Sequence, residues 1–298
     1  MKKVAILGST GSIGSSALNV IEANPDLFSI TLLAADSNVD SIFEQCHKFS
    51  PKYLYLNDES SSNQLRSRID SLSLKSTLVN EEDYLNIIAS EEVDVVVAGI
   101  VGVAGLKSIQ KAISGGKRIL LANKEAYVVA GELLNELATS NNSTIFPIDS
   151  EHSAIHQCLS GKSDTSGGVR KIVLTGSGGP FLNKNLEEFE DITPEEAINH
   201  PVWNMGKKIS VDSATMMNKV FELIEAQRIF NLDRTKFKIL IHPQSLVHAI
   251  VKFNNGITKL LIHDTNMTIP IFNSIYDSSL KKMNTKNLGP TELNNLAF

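Results

Sequence analysis

Short, nearly continuous apolar runs punctuate the first half of the chain: KKVAIL, ITLLAA, KYLYL, VDVVVAGI, KRILLA and STIFPI. Amphipathic stretches such as SSALNVIEA and LKSIQKAIS separate them. Runs that stay apolar instead of alternating belong to strands buried on both faces, so the pattern predicts a parallel sheet with helices on each side. Residues 1–149 therefore read as one doubly wound, Rossmann-like α/β domain.

The pattern then changes. SDTSGGV at 163–169 reads as a flexible connection, KIVLTGSGGPF as a strand ending in a glycine-rich turn, and EEFEDITPEEAINHPVWNMGKKI as a polar loop region. A long amphipathic helix is expected from about Ser213 to Phe230, with Ser213 as its N-cap. LVHAIVKFNNGITKLLIH alternates around Asn255-Gly256, a strong hairpin signal. Residues 150–280 thus read as a second, α+β domain, and the tail LKKMNTKNLGPTELNNLAF carries no pattern of its own.

Composition narrows the class. At 298 residues, 42% hydrophobic and 20% charged, the chain has the make-up of a soluble two-domain protein. A net charge of -5 argues against a nucleic-acid surface. No run approaches the roughly 20 apolar residues of a membrane span. Cys46 and Cys158 are too few for a disulfide framework, and MKKVAILGST lacks the features of a signal peptide. A cytoplasmic location follows as the expectation.

Candidate chemistry begins where the first strand ends. Gly8, Gly11 and Gly14 lie between that strand and the first helix, where backbone N–H groups and a positive helix end can hold a dinucleotide pyrophosphate. The spacing is GxxGxxG instead of the commoner GxGxxG. Asp36 closes the second strand, where an acid accepts from a ribose 2′-OH and repels a 2′-phosphate, favouring NAD over NADP. The alternative is that Asp36 caps the next helix. Asn123, Lys124 and Glu125 follow another strand and either face the same crevice or form a surface turn.

In PIDSEHSAIH, Asp149 and Glu151 are two apart and in extended chain would turn the same way, suited to one hard cation. His152 and His156 are four apart and would share a helix face, as zinc-binding histidines can. Ser177, Ser213, Asn218 and Lys219 are residue types that hold a phosphate when they converge, and Glu222 shares a helix face with Lys219. Trp203, the single tryptophan, lies in a polar loop and reads either as a lid over a ligand or as an anchor for that loop.

The ordered set GSTGSIG, LLANKE, DSEHSAI, TGSGGPF, HPVWNMGKKISVDSATMMNK and IHPQS resembles the 1-deoxy-D-xylulose 5-phosphate reductoisomerase family along nearly the whole chain. That resemblance implies a metal-dependent rearrangement by retro-aldol and aldol steps, followed by NADPH reduction, giving 2-C-methyl-D-erythritol 4-phosphate for non-mevalonate isoprenoid synthesis. It implies Asp149, Glu151 and Glu222 as ligands of Mg²⁺, Mn²⁺ or Co²⁺, with Lys124 beside them in catalysis. It implies Ser150, Ser177, His200, Trp203, Met205, Ser213, Asn218 and Lys219 as further substrate contacts. Thr10, Gly11, Ser12, Ile13, Asn38, Asn123, Glu125 and Gly206 would line the dinucleotide. A homodimer is implied, in the cytoplasm or, for a plastid-bearing source, in the plastid.

Departures are specific. Asp36 and Ser37 stand where the family usually carries a glycine and a basic residue, Val220 replaces a glycine, and TNMT at 265–268 replaces PDMR. Family members continue into a C-terminal helical domain, of which residues 281–298 would be only the linker. The competing readings are a truncated or divergent member that binds nucleotide without turnover, and another two-domain dehydrogenase such as a homoserine dehydrogenase.

Overall fold

The apolar runs become β1 (Lys2–Leu7), β2 (Phe28–Ala35), β3 (Tyr53–Leu56), the two-residue β4 (Thr77–Leu78), β5 (Val95–Ala98), β6 (Arg118–Leu121) and β7 (Thr144–Pro147). The computed structural model describes residues 1–159, 168–203, 205–276, 283, 285 and 288–298. These strands form one parallel sheet in the order β4-β3-β2-β1-β5-β6-β7. Val4, Ala5 and Ile6 of β1 are fully buried, as a strand covered on both faces requires. β4 escaped the pattern because two residues are too few to show a period.

The chain builds outward from β1 to β4 and then crosses back to place β5 on the other side of β1, the doubly wound plan. The crevice of such a sheet lies beyond the carboxyl ends of the strands flanking that reversal. Intervening helices are α1 (Ser12–Glu22), α2 (Val39–Phe49), α3 (Glu59–Ser71), α4 (Glu81–Ala89), α5 (Leu106–Ser114) and α6 (Lys124–Ser140). Gly14 lets α1 sit close against the turn: a Cβ there would meet Gly8 O at 2.4 Å and Ser9 O at 2.5 Å.

A second unit begins at Asp149. It contains α7 (Ser150–Leu159), β8 (Val169–Gly176), α8 (Pro194–Ile198), α9 (Lys207–Ala214), α10 (Met217–Phe230), β9 (Phe237–Ile241), β10 (Val247–Phe253) and β11 (Thr258–Ile262). The sheet order is β11-β10-β8-β9, with β10 antiparallel to both neighbours and β8 parallel to β9. The expected hairpin is thus β10–β11. The core joins Ile155 and Leu159 of α7, Ile172 and Leu174 of β8, Ala226 of α10 and Val251 of β10. Most of the connection expected at 163–169 lies outside the described residues.

Two further helices follow, α11 (Thr268–Ile275) and α12 (Pro290–Asn294), the latter inside the tail that showed no pattern. From Ile271 the chain returns to the first unit, where the Arg118 guanidinium donates to Ser274 O at 2.6 Å and the ring of Tyr276 meets Phe28 edge-on. The stretch 150–280 is therefore not one continuous unit.

The single helix expected over 213–230 is two. α9 ends at Ala214, Met216 takes a left-handed conformation with φ 62°, and α10 starts afresh at Met217. Thr215 Oγ1 bonds back to Val211 O at 3.1 Å and Asp212 O at 3.2 Å, the local competition by which threonine bends or ends a helix. Ser213 therefore sits in the last turn of α9 and is not an N-cap. Neither glycine nor proline marks the break, so the apolar period ran through it unseen.

Candidate active site

In the first unit, Gly8 N and Ser9 N both donate to Ala34 O, at 2.8 and 2.9 Å, pinning the glycine turn to the end of β2. Gly11 is the N-cap of α1 and Ser15 N donates back to Gly11 O at 2.9 Å. The N–H groups of Ser12, Ile13 and Gly14 belong to the first helical turn, where no intrahelical acceptor exists, and they add to the positive helix end. Thr10 is half-buried beside them. A turn with these donors can hold a phosphate group.

Asp36 does not cap α2. Asn38 does, its Oδ1 accepting from Ser41 N at 3.0 Å, while exposed Asp36 accepts from Asn57 Nδ2 at 3.0 Å. The Asn123-Lys124-Glu125 step is not a surface turn either: Asn123 and Lys124 are buried and Glu125 half-buried. Asn123 Nδ2 donates to Ile100 O and Gly102 O at 2.6 and 2.7 Å, and its Oδ1 accepts from Ala126 N at 2.8 Å. Its side chain clamps the loop after β5 to the start of α6, and it leaves Lys124 as the first helical residue.

In the second unit, Asp149, Glu151 and Glu222 each offer a carboxylate oxygen within 4.8 Å of the others. Asp149 and Glu151 flank the start of α7 and are not in extended chain as expected; Ser150 N donates to Asp149 Oδ1 at 3.0 Å and Ser153 N to Asp149 O at 2.8 Å. Ser150 Oγ donates to Glu151 Oε2 at 2.6 Å. Glu222 comes from α10 and accepts from Asn218 Nδ2 at 2.5 Å, one helical turn earlier. Three carboxylates from two helices form a hard, all-oxygen donor set that fits Mg²⁺ or Mn²⁺.

The fit is tested by a cation already in place. Buried Lys219 directs Nζ to Glu151 Oε1 at 2.5 Å, Glu222 Oε2 at 2.6 Å and Thr175 O at 2.7 Å. Burial alone would lower the lysine and raise the acid. The mutual charges outweigh it, holding Lys219 above its ordinary value and Glu151 below the usual carboxylate range.

The histidines take another role. His152 is fully buried, and its Nε2–H donates to the backbone carbonyl of Glu222 at 2.8 Å. Its Nδ1 faces Glu225 Oε2 at 3.3 Å and Asp149 Oδ2 at 3.7 Å. Asp149, His152 and Glu225 do form a second trio of potential ligand atoms, but among the described residues no such trio includes His156. The paired-histidine zinc reading needs both rings and is not realised.

A donor-rich turn follows β8. His200 Nδ1 accepts from Val202 N and Trp203 N at 3.1 and 2.9 Å, so its Nε2 carries the proton and donates to Ser177 Oγ at 2.9 Å. Ser177 Oγ also accepts from Gly179 N at 3.1 Å, which leaves the hydroxyl proton free to point at an anion. Burial, then the charge of Lys219, lowers His200 below its ordinary value. The carbonyl of Ser213 packs against Gly179, where an added Cβ would lie 2.8 Å away, so the end of α9 borders this turn. Gly206 is the N-cap of α9 and Met205 is half-buried.

Trp203 contacts His248 edge-on, ring centroids 6.2 Å apart, and His248 stacks on His263 at 3.7 Å. Sequence reasoning missed His248, His263, Glu225 and the carbonyl of Thr175. An ionisable residue inside the apolar strand VHAIVKF was the available signal for His248; a backbone carbonyl has none. Val220 is 43% exposed and brings no bulk to the buried side of α10. In TNMT, Asn266 Oδ1 accepts from Thr268 N at 2.9 Å at the start of α11, so that departure keeps a formed turn.

A model of 1-deoxy-D-xylulose 5-phosphate reductoisomerase matches residues 4–131, and one of that enzyme's C-terminal domain matches 145–230. The reductoisomerase of Psychromonas ingrahamii is 48% identical over 280 residues, 91% of this chain and 70% of that protein. A crystal structure of DOX-P reductoisomerase with NADPH, fosmidomycin and magnesium shares 38% identity and a TM-score of 0.93, covering 100% of this chain and 75% of that one. The Zymomonas mobilis enzyme in complex with NADPH shares 37% identity and a TM-score of 0.89, covering 99% and 76%. Agreement across both units leaves no room for a different two-domain dehydrogenase: the chain belongs to the 1-deoxy-D-xylulose 5-phosphate reductoisomerase family.

Proposed function

We propose that the chain rearranges 1-deoxy-D-xylulose 5-phosphate and reduces the product with NADPH to 2-C-methyl-D-erythritol 4-phosphate. The observation that carries this reading is the carboxylate trio of Asp149, Glu151 and Glu222 closed around a cation position, in a chain of this family. A divalent ion held there supplies Lewis acidity for the charge that develops on the substrate's oxygens. NADPH supplies the hydride, its pyrophosphate taken by the turn of Thr10 to Ile13 and its ribose side near Asn38.

The chain's own residues do the positioning. Ser177, with its free hydroxyl proton, Lys219, Asn218 and Ser213 take the substrate phosphate, whose binding energy orders the small reactive end. Trp203, with Met205, closes over it and limits water. Lys124 and Ser150 serve the hydroxyketone. Turnover of 1-deoxyxylulose 5-phosphate followed by NADPH oxidation, with and without EDTA, tests the reading; cofactor binding without oxidation would favour a nucleotide-binding member that does not turn over.

We further infer a homodimer formed through the second unit, where β11 is an edge strand with Leu260 exposed on it and Ile257 exposed just before it. Light scattering on eluting protein tests it. No helix among the described residues is long and apolar enough to cross a membrane, and the Psychromonas and Zymomonas relatives are bacterial, which supports a cytoplasmic assignment over a plastid one.

A further inference from the structure

Every oxygen of Glu151 and Glu222 already has a hydrogen-bond or ion-pair partner. Glu151 Oε2 accepts from Ser150 and Oε1 from Lys219; Glu222 Oε1 accepts from Asn218 and Oε2 pairs with Lys219. A divalent cation that takes Glu151 Oε1 and Glu222 Oε2 displaces the ammonium, since the two compete for those oxygens and repel one another. The displaced group has a short way to go. Its stem lies against Gly176, where a Cβ would come within 2.9 Å of Lys219 Cε, and Ser177 is the next residue. The charge of Lys219 already reaches His200, the partner of Ser177.

We infer that Lys219 is an exchangeable cation: it neutralises Glu151 and Glu222 until a divalent ion takes them, and it then turns to the Ser177–His200 turn to bind the substrate phosphate. Metal and phosphate binding are thereby positively coupled, each favouring the other. The inference rests on the proposed reductoisomerase reading and adds a coupling between its metal and phosphate sites. A Cβ at Gly176 would crowd that stem, at 2.9 Å from Lys219 Cε.

The coupling is measurable without turnover. Mn²⁺ affinity of the full chain is read by calorimetry or by the electron paramagnetic resonance of free Mn²⁺, with and without glycerol 3-phosphate, which carries a phosphate monoester but no hydroxyketone. In the wild-type chain Mn²⁺ is expected to bind glycerol 3-phosphate-loaded protein about tenfold tighter, and by reciprocity the phosphate ester binds metal-loaded protein tighter by the same factor. In Lys219→Met the metal is expected to bind several-fold tighter than in wild type, because its competitor is gone, and the coupling disappears. A merely structural lysine would give the reverse, weaker metal binding in the variant. Equal Mn²⁺ affinity with and without the ester overturns the exchange even if Lys219→Met does not fold, as the wild-type arm stands alone. Failure of wild-type protein to bind Mn²⁺ or to turn over substrate overturns the reductoisomerase reading as well; turnover with uncoupled binding overturns the exchange only.

Discussion

His152 donates from Nε2 to the backbone carbonyl of Glu222 at 2.8 Å, a bond between the helix that opens with the Asp149–Glu151 pair and the helix that supplies the third carboxylate. The ring is fully buried, so the bond is shielded from solvent in the native protein. His152→Ala should weaken the apparent affinity for Mg²⁺ by roughly 10–100-fold, as loss of groups supporting metal ligands does elsewhere, with kcat less affected at saturating metal. Titrating activity against Mg²⁺ checks this; an unchanged metal dependence in a folded variant would remove His152 from the site.

Asp36 is exposed at the end of β2, where its carboxylate accepts from the amide of Asn57, and an acid at this place in the fold repels a ribose 2′-phosphate. Discrimination in favour of NADPH over NADH should be weak for a family whose solved members bind NADPH. Asp36→Gly combined with Ser37→Lys should raise the ratio of kcat/KM for NADPH over NADH by about tenfold, equivalent to about 1.4 kcal/mol. A strong NADPH preference in the wild-type enzyme would refute the argument.

Gly14 and Gly11 lie three residues apart but differ in tolerance. A Cβ on Gly14 meets backbone at 2.4 Å, whereas one on Gly11 finds its nearest neighbour at 3.4 Å. Gly14→Ala should cost about 1–3 kcal/mol by forcing α1 away from the turn. Gly11→Ala should cost far less stability, so any loss of NADPH affinity there reports on backbone approach to the cofactor. Urea midpoints and cofactor titrations of the two variants separate these effects.

His248 is pushed down to about 3, first by burial and then by the neighbouring His263. A histidine whose folded value is depressed is neutral in the native state, and the unfolded chain binds the extra proton as pH falls below about 6.5. Its contribution is fully present above that pH and is lost on acidification, about 2 kcal/mol between pH 6.5 and pH 5. Thermal unfolding across that range should show a falling midpoint, and His248→Gln should flatten the slope. A variant as pH-sensitive as the wild type would assign the effect to other groups.

The two-domain plan, most of the strands, the β10–β11 hairpin and the glycine turn were legible along the chain, because each is encoded by a local period or by turn residues acting over a few positions. So were the acids and the phosphate-binding residue types, and the family motifs tied Glu222 to Asp149 across the sequence. What required the tertiary structure is every relation with no local signature. The break between α9 and α10 arises from Thr215 bonding backwards and a left-handed Met216, neither announced by composition. The lodging of Lys219 among Glu151, Glu222 and the carbonyl of Thr175 depends on a helix, a helix start and a strand meeting in one place. Side-chain type told which groups could bind a metal or a phosphate; only packing decided that one lysine faces Glu151 and Glu222 with its stem against Gly176, the neighbour of Ser177.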